Sequence, residues 1–173
     1  MLPAENEYAP YYSRYIKMVT GDIFDELKEQ PASFAAFVNS IPKEKGDYAY
    51  APGKWTVKEV LGHLLDTERI MAYRALRIAR MDDTPLPGFD ENAFVVHAHF
   101  GDRDIPSLLE ELELIRRSNL FLFETFTEEE LRRTGTASGH TVSVNALLYI
   151  IVGHIKHHRL ILEERYLQTP HQS

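Results

Sequence analysis

Apolar residues in this chain recur every three to four positions over long stretches, and nowhere do they alternate for the length of a half-buried strand. That pattern predicts an all-α fold built from four long helices. The first runs from about Thr20 to Ser40 with Ile23, Phe24, Leu27, Phe34, Phe37, Val38 and Ile41 at helical spacing, and Thr20 or Asp22 can cap it. Pro31 should kink or restart it. The second opens at Thr56-Val57-Lys58-Glu59, a capping box with Trp55 at the staple position before it, and reaches about Arg80. Residues 81–103 hold Pro85, Pro87, Gly88 and Gly101 and read as one long crossover loop without structure of its own. The third helix follows from Ile105 to about Phe126 behind the cap Asp104, and Thr127 to Glu130 forms a second, shorter capping box. After a break at 135–139, Thr141 or Ser143 caps a last helix that ends near Leu167. Ahead of all four, Tyr11 to Ile16 is a short segment whose aromatics lie over the bundle. The expected architecture is a four-helix bundle with a long crossover loop between helices 2 and 3.

Four such helices in 173 residues, 44% of them hydrophobic, fit one domain spanning 1–173 with a core large enough to enclose a site. Against 19 basic residues stand 26 acidic ones, a formal charge of -7, so a nucleic-acid partner would meet net repulsion. The longest apolar run, Ala146 to Val152, is far shorter than the roughly 20 residues of a membrane span. The first residues, Met1 to Glu7, lack the basic start and apolar run of a signal peptide, and a cytoplasmic location is expected. With no cysteine, disulfides, thiolate ligands and cysteine nucleophiles are excluded. Histidine and carboxylate must supply any metal ligands.

His154 and His158, in Gly153-His154-Ile155-Lys156-His157-His158, sit four residues apart within the apolar stripe of Val144, Leu147, Leu148, Ile151, Ile155 and Leu162. That is the spacing a divalent transition metal can bridge, and a third imidazole from a neighbouring helix would complete the set. Spacing alone allows a second reading, in which both are core histidines bonded to carboxylates or carbonyls. His63 lies off the centre of its own stripe, which runs through Val57, Val60, Leu61, Leu64, Met71, Ala75 and Ile78, so periodicity does not make it a ligand. Glu68 falls nearer that centre, as an acid/base group or as the partner of Arg74 or Arg116, and Asp66 is a second candidate for proton transfer or ligand orientation. His157 falls to the side of the metal face, His97 and His99 alternate as in an extended loop, His140 precedes the last helix, and His171 lies in the tail. No phosphate-binding glycine loop, nucleophile elbow or paired Glu-x-x-His of a di-iron bundle is present, which favours a mononuclear site.

The run from Trp55 to Arg69, the segment Ala75-Leu76-Arg77-Ile78-Ala79-Arg80, and Gly153 to His158 followed by Glu164-Arg165-Tyr166 resemble the DinB-like (YfiT-like) family of metal-dependent four-helix proteins. That family is related to the bacillithiol S-transferases and the thiol-dependent maleylpyruvate isomerases. The resemblance covers nearly the whole chain and implies that His63 joins His154 and His158 in holding a divalent metal, in a bundle that dimerises through helical faces. Three neutral imidazoles would accept zinc or nickel, and iron or manganese after them, while leaving a coordination position open. Such an ion can activate water or hold a thiol as thiolate, so the expected function is a hydrolase, or a transferase using a low-molecular-weight thiol, acting on a small-molecule substrate. The alternative is a non-catalytic helical bundle that binds a metal or ligand.

Overall fold

The computed structural model describes residues 1–167. Short 3-10 turns and α1 (Ser13–Ile16) lead into α2 (Ile23–Asn39), α3 (Val57–Ala79), α4 (Glu91–Ala98), α5 (Ile105–Phe123), α6 (Glu128–Arg132), the strands β1 (Thr134–Ala137) and β2 (His140–Ser143), and α7 (Val144–Ile161). The four long helices are α2, α3, α5 and α7. Central to the ring is α3, which packs on both α5 and α7, and α2 closes the far side against the same two helices. Each long helix starts where a side chain captures its free N–H groups: Asp22, Thr56 with Glu59, Asp104, and Ser143. Among the described residues no helix is long and apolar enough to cross a membrane.

Three local expectations are corrected. The crossover of residues 81–103 contains α4, whose first turn is held by the Asp90 carboxylate accepting from the N–H groups of Asn92 and Ala93, so His97 is helical rather than extended. Residues 134–143 form an antiparallel hairpin, not a bare break; Ser138 and Gly139, both at positive φ, make the two-residue turn that matches the right-handed twist of its strands. Pro31 does not restart the helix, since α2 runs through it from Ile23 to Asn39. Without an N–H at Pro31 the Leu27 carbonyl has no intrahelical donor, and Arg116 of α5 supplies one at 3.0 Å.

That guanidinium belongs to a polar layer across the middle of the bundle. Arg116 Nε and a terminal nitrogen donate to the two carboxylate oxygens of Glu68 at 2.6 and 3.0 Å, and Gln30 accepts from Arg116 while donating to the Val152 carbonyl at 2.8 Å. One apolar cluster, with Leu27, Met71 and Ile151, fills the bundle on one side of the layer, and another, with Phe34, Leu64, Leu112 and Ile155, fills the other.

Candidate metal centre

The capping box at Thr56 fixes where α3 begins, and two turns later His63 points from it toward α7. On α7 the four-residue spacing stacks His154 and His158 on the face that meets α3. The Nε2 atoms of His63 and His154 are 3.0 Å apart and those of His158 and His154 are 3.1 Å apart, with all three rings buried. Two nitrogens each about 2.0–2.1 Å from one ion stand about 2.9–3.4 Å apart for angles between octahedral and tetrahedral, so the observed separations suit a shared cation. The three residues meet as a group able to hold one.

Their chemistry points the same way. Burial pushes the His63 pKa down to about 4, and burial together with the neighbouring imidazoles and Arg14 holds His154 and His158 well below the usual range. All three are therefore neutral lone-pair donors at pH 7. His154 Nε2 faces both other Nε2 atoms, and a single ring proton cannot serve both contacts, whereas one cation satisfies all three lone pairs. No carboxylate hydrogen-bonds the rings among the described residues, so the alternative of ordinary core histidines paired to acids finds no support in the geometry. The His158 Nδ1 is buried without a hydrogen-bond partner among the described residues.

Aromatic rings enclose the triad. The only tryptophan, Trp55, stacks along His158 at 6.5 Å and packs on His63 at 4.7 Å, its carbonyl fixed by the Tyr166 hydroxyl at 2.7 Å. Tyr15 of α1 meets His154 edge-on at 5.3 Å and His157 at 5.2 Å. That approach depends on Gly153, because a Cβ there would lie 2.0 Å from the Tyr15 carbonyl oxygen. Beyond Tyr15 a cavity of about 290 Å³ opens onto His154, walled by Tyr11, Tyr12, Met71, Phe89 and Ile150, with Arg14, Thr67, Glu91 and Ser138 among its polar residues. A larger cleft of about 480 Å³ near Val38, Lys58 and Ile105 touches none of the three histidines.

The two carboxylates expected from the sequence neither line this cavity nor hydrogen-bond the three imidazoles. Glu68 has both oxygens on Arg116, with Asn119 adding a donor at 3.4 Å, which is the ion-pair alternative. Asp66 is half-buried beside Arg69, 3.9 Å away, in the charge group that includes Glu111, and burial pushes its carboxyl pKa up. The carboxylate that does line the cavity is Glu91, an exposed residue whose carboxyl is nonetheless desolvated enough for its pKa to be pushed up. Sequence reading missed it because residues 81–103 looked featureless; the Asp90-Glu91 pair, cap plus acidic first turn, was the available signal. Arg14 and Thr67 carry no such signal. His157 is half-buried beside the triad, His97, His99 and His140 are exposed, and His171 lies outside the described residues.

Comparison with known proteins now places the chain, since residues 26–162 match the model of the DinB superfamily. The chain belongs to the DinB superfamily. A putative metal-dependent hydrolase of Oceanobacillus iheyensis is 26% identical over 149 residues, covering 82% of this chain and 84% of that protein. One from Bacillus pumilus is 27% identical over 139 residues, covering 78% and 77%. Among solved structures, YfiT from Bacillus subtilis, described as a probable metal-dependent hydrolase with an unusual four-helix bundle topology, superposes with a TM-score of 0.75 at 22% identity, covering 94% of this chain and 89% of that one. The DinB bundle seen here has the same fold, and the names of its relatives, putative metal-dependent hydrolases, together with the three-histidine cluster support a metal-dependent enzyme.

Proposed function

We propose that this DinB-superfamily chain is a hydrolase of small molecules that uses one divalent ion held by His63, His154 and His158. The observation that carries the reading is the convergence of three buried, neutral imidazole nitrogens beside a cavity. When bound, an ion with three neutral ligands and an open position supplies Lewis acidity, polarising a substrate carbonyl or bringing the pKa of water toward about 7. Zinc or nickel is the proposed ion, both being suited to imidazole nitrogen. The names of the relatives favour hydrolysis over thiol transfer.

The chain's own residues divide the remaining work. Trp55 and Tyr15 shield the imidazoles from bulk water, which strengthens every charge interaction inside. Glu91, on the wall of the cavity and shifted toward the protonated form, accepts a proton from the attacking water and returns it to the leaving group. Glu68, locked to Arg116, is a positioning residue that holds α3 against α5. The cavity admits a molecule at the small end of the roughly 300–1,000 Å³ range typical of ligand sites.

The test is a panel of small esters and amides assayed with chelator-stripped protein and again after zinc or nickel is restored. Turnover should return with the metal, vanish in His154→Ala, and drop about 10²–10⁴-fold in Glu91→Gln with the metal retained. Hydrolysis that ignores chelation, or a metal-loaded protein inert across the panel, contradicts the reading.

A further inference from the structure

Tyr166 neither holds the ion nor moves a proton, yet it is buried just beyond the helix that carries His154 and His158. There α7 opens into a wider π turn, Leu162–Tyr166, closed by the Leu167 N–H donating to the Leu162 carbonyl at 3.2 Å. Had the α-helix continued at 3.6 residues per turn, Tyr166 would stand roughly 80° round from His158. The π turn winds less per residue and narrows that angle, and single turns of this kind are frequent at functional sites. The hydroxyl so placed donates to the Trp55 carbonyl at 2.7 Å, and burial pushes its pKa up to about 12, so it keeps its proton at neutral pH.

Trp55 ends a strap of irregular chain, residues 46–55, that leads onto the metal centre. Tyr166 meets this strap along its length. Just before it, Lys45 donates to the Tyr166 carbonyl, and within it Tyr48 and Tyr50 pack edge-on against the Tyr166 ring at 6.1 and 5.1 Å. At its end the Trp55 indole lies on His63 and His158. Those two imidazoles belong to residues 3% and 9% exposed, and neither lines the cavity beside His154. Trp55 is half-buried, so on this side its ring stands between them and solvent. The strap contains no helix or strand, and Tyr48, Pro52, Gly53 and Lys54 are exposed. Segments with so few buried contacts open at a lower free energy than the helices around them, as the covers of binding sites must.

We infer that Trp55 is a door over the metal centre and Tyr166 the positioning residue that latches it, so that Tyr166 sets how fast a divalent ion enters and leaves without setting how tightly it is held. The Tyr166 hydroxyl bonds a backbone carbonyl rather than any of the three imidazoles, so losing that bond eases opening in the empty and the loaded protein alike. Opening that precedes both arrival and departure scales the two rates by one factor and leaves their ratio, the affinity, where it was. A residue that merely shaped the ligand cage would instead speed departure and weaken binding. This rests on the three-histidine metal centre of the hydrolase reading, but ion exchange can be measured without turnover.

The experiment follows zinc uptake by stripped protein in stopped flow and zinc release into a chromogenic chelator, at concentrations where the rate no longer depends on the chelator. Affinity is measured by competition with the same chelator at equilibrium. Tyr166→Phe keeps the buried ring and removes one hydrogen bond, and it should speed uptake and release by the same factor, about two- to tenfold, with affinity unchanged within about twofold. Trp55→Leu removes the door and should speed both at least as much, after which adding Tyr166→Phe should change neither rate further. Circular dichroism melts verify that each variant is folded at the assay temperature. Unchanged rates in Tyr166→Phe, faster release matched by weaker affinity, or a Tyr166→Phe effect that persists in full beside Trp55→Leu overturns the inference. Any of these in a protein that binds zinc removes the door alone, whereas a wild type that takes up no zinc overturns the metal centre and the door together.

Discussion

Removing the Arg116 guanidinium should damage this bundle more than any single surface change. In Arg116→Met the apolar stem is kept, but Glu68, 3% exposed, loses both of its charge-assisted bonds and the Leu27 carbonyl opposite Pro31 loses the donor that stands in for the missing Pro31 N–H. Stranding one member of a buried ion pair costs about 3–5 kcal/mol. An orphaned buried carbonyl adds about 1–3 kcal/mol, less when the same rearrangement relieves both. Since domains of this kind are stable by about 5–15 kcal/mol, the variant should lose a large share of its stability. Urea denaturation followed by far-ultraviolet circular dichroism measures it, with an unchanged denaturant slope showing that the unfolded state is the same. The companion Glu68→Met/Arg116→Met variant removes the stranded charge and should recover most of the loss. Adding Pro31→Ala restores an N–H for Leu27 and should recover more. An Arg116→Met protein within about 1 kcal/mol of wild type, or a double variant weaker than the single, refutes the reasoning.

Chelator-treated protein should lose stability as pH falls from about 6.5 to about 4. The unfolded imidazoles take up protons in that window while His63 does not until about pH 4 and burial holds His154 and His158 well below their usual range, so protonation favours the unfolded chain. A melting temperature flat from pH 7 to pH 5 would count against the buried neutral triad. Gly153→Ala should lower stability by about 1–3 kcal/mol in a thermal melt despite the better helix propensity of alanine, because its Cβ meets the Tyr15 carbonyl oxygen. An alanine variant as stable as wild type would mean that α1 yields freely. Because the single tryptophan packs on two of the three imidazoles, nickel should quench its fluorescence and saturate at one equivalent. Quenching that is unsaturable places the ion elsewhere.

The helices were legible because their ends are chemically marked. Asp22, Thr56, Asp104, Thr127 and Ser143 all cap as their sequence context predicts, and the apolar stripes of α3 and α7 are the faces that meet. What escaped was held by single contacts rather than periodicity. Helix α4 buries only Val95 and lies between Pro85, Pro87, Gly88 and Gly101, so nothing repeats along it. Strands of four residues such as Thr134–Ala137 are too short to alternate, although Ser138-Gly139 is a recognisable hairpin turn. Pro31 misled because its remedy comes from Arg116, 85 positions away along the chain, and no local rule can foresee it. In the site, spacing alone paired His154 with His158. His63 was supplied by resemblance, being off the centre of its stripe, and Glu91, Arg14 and Thr67 meet His154 only through tertiary packing.

The most direct measurement is elemental analysis of tag-free protein purified without chelator, run beside His154→Ala whose fold is verified by circular dichroism. One divalent ion per chain in the wild type and essentially none in the folded variant is the expected result. A wild type without metal that also fails to take up zinc or nickel on titration, or a variant that keeps its full equivalent, would show that the three imidazoles do not share an ion.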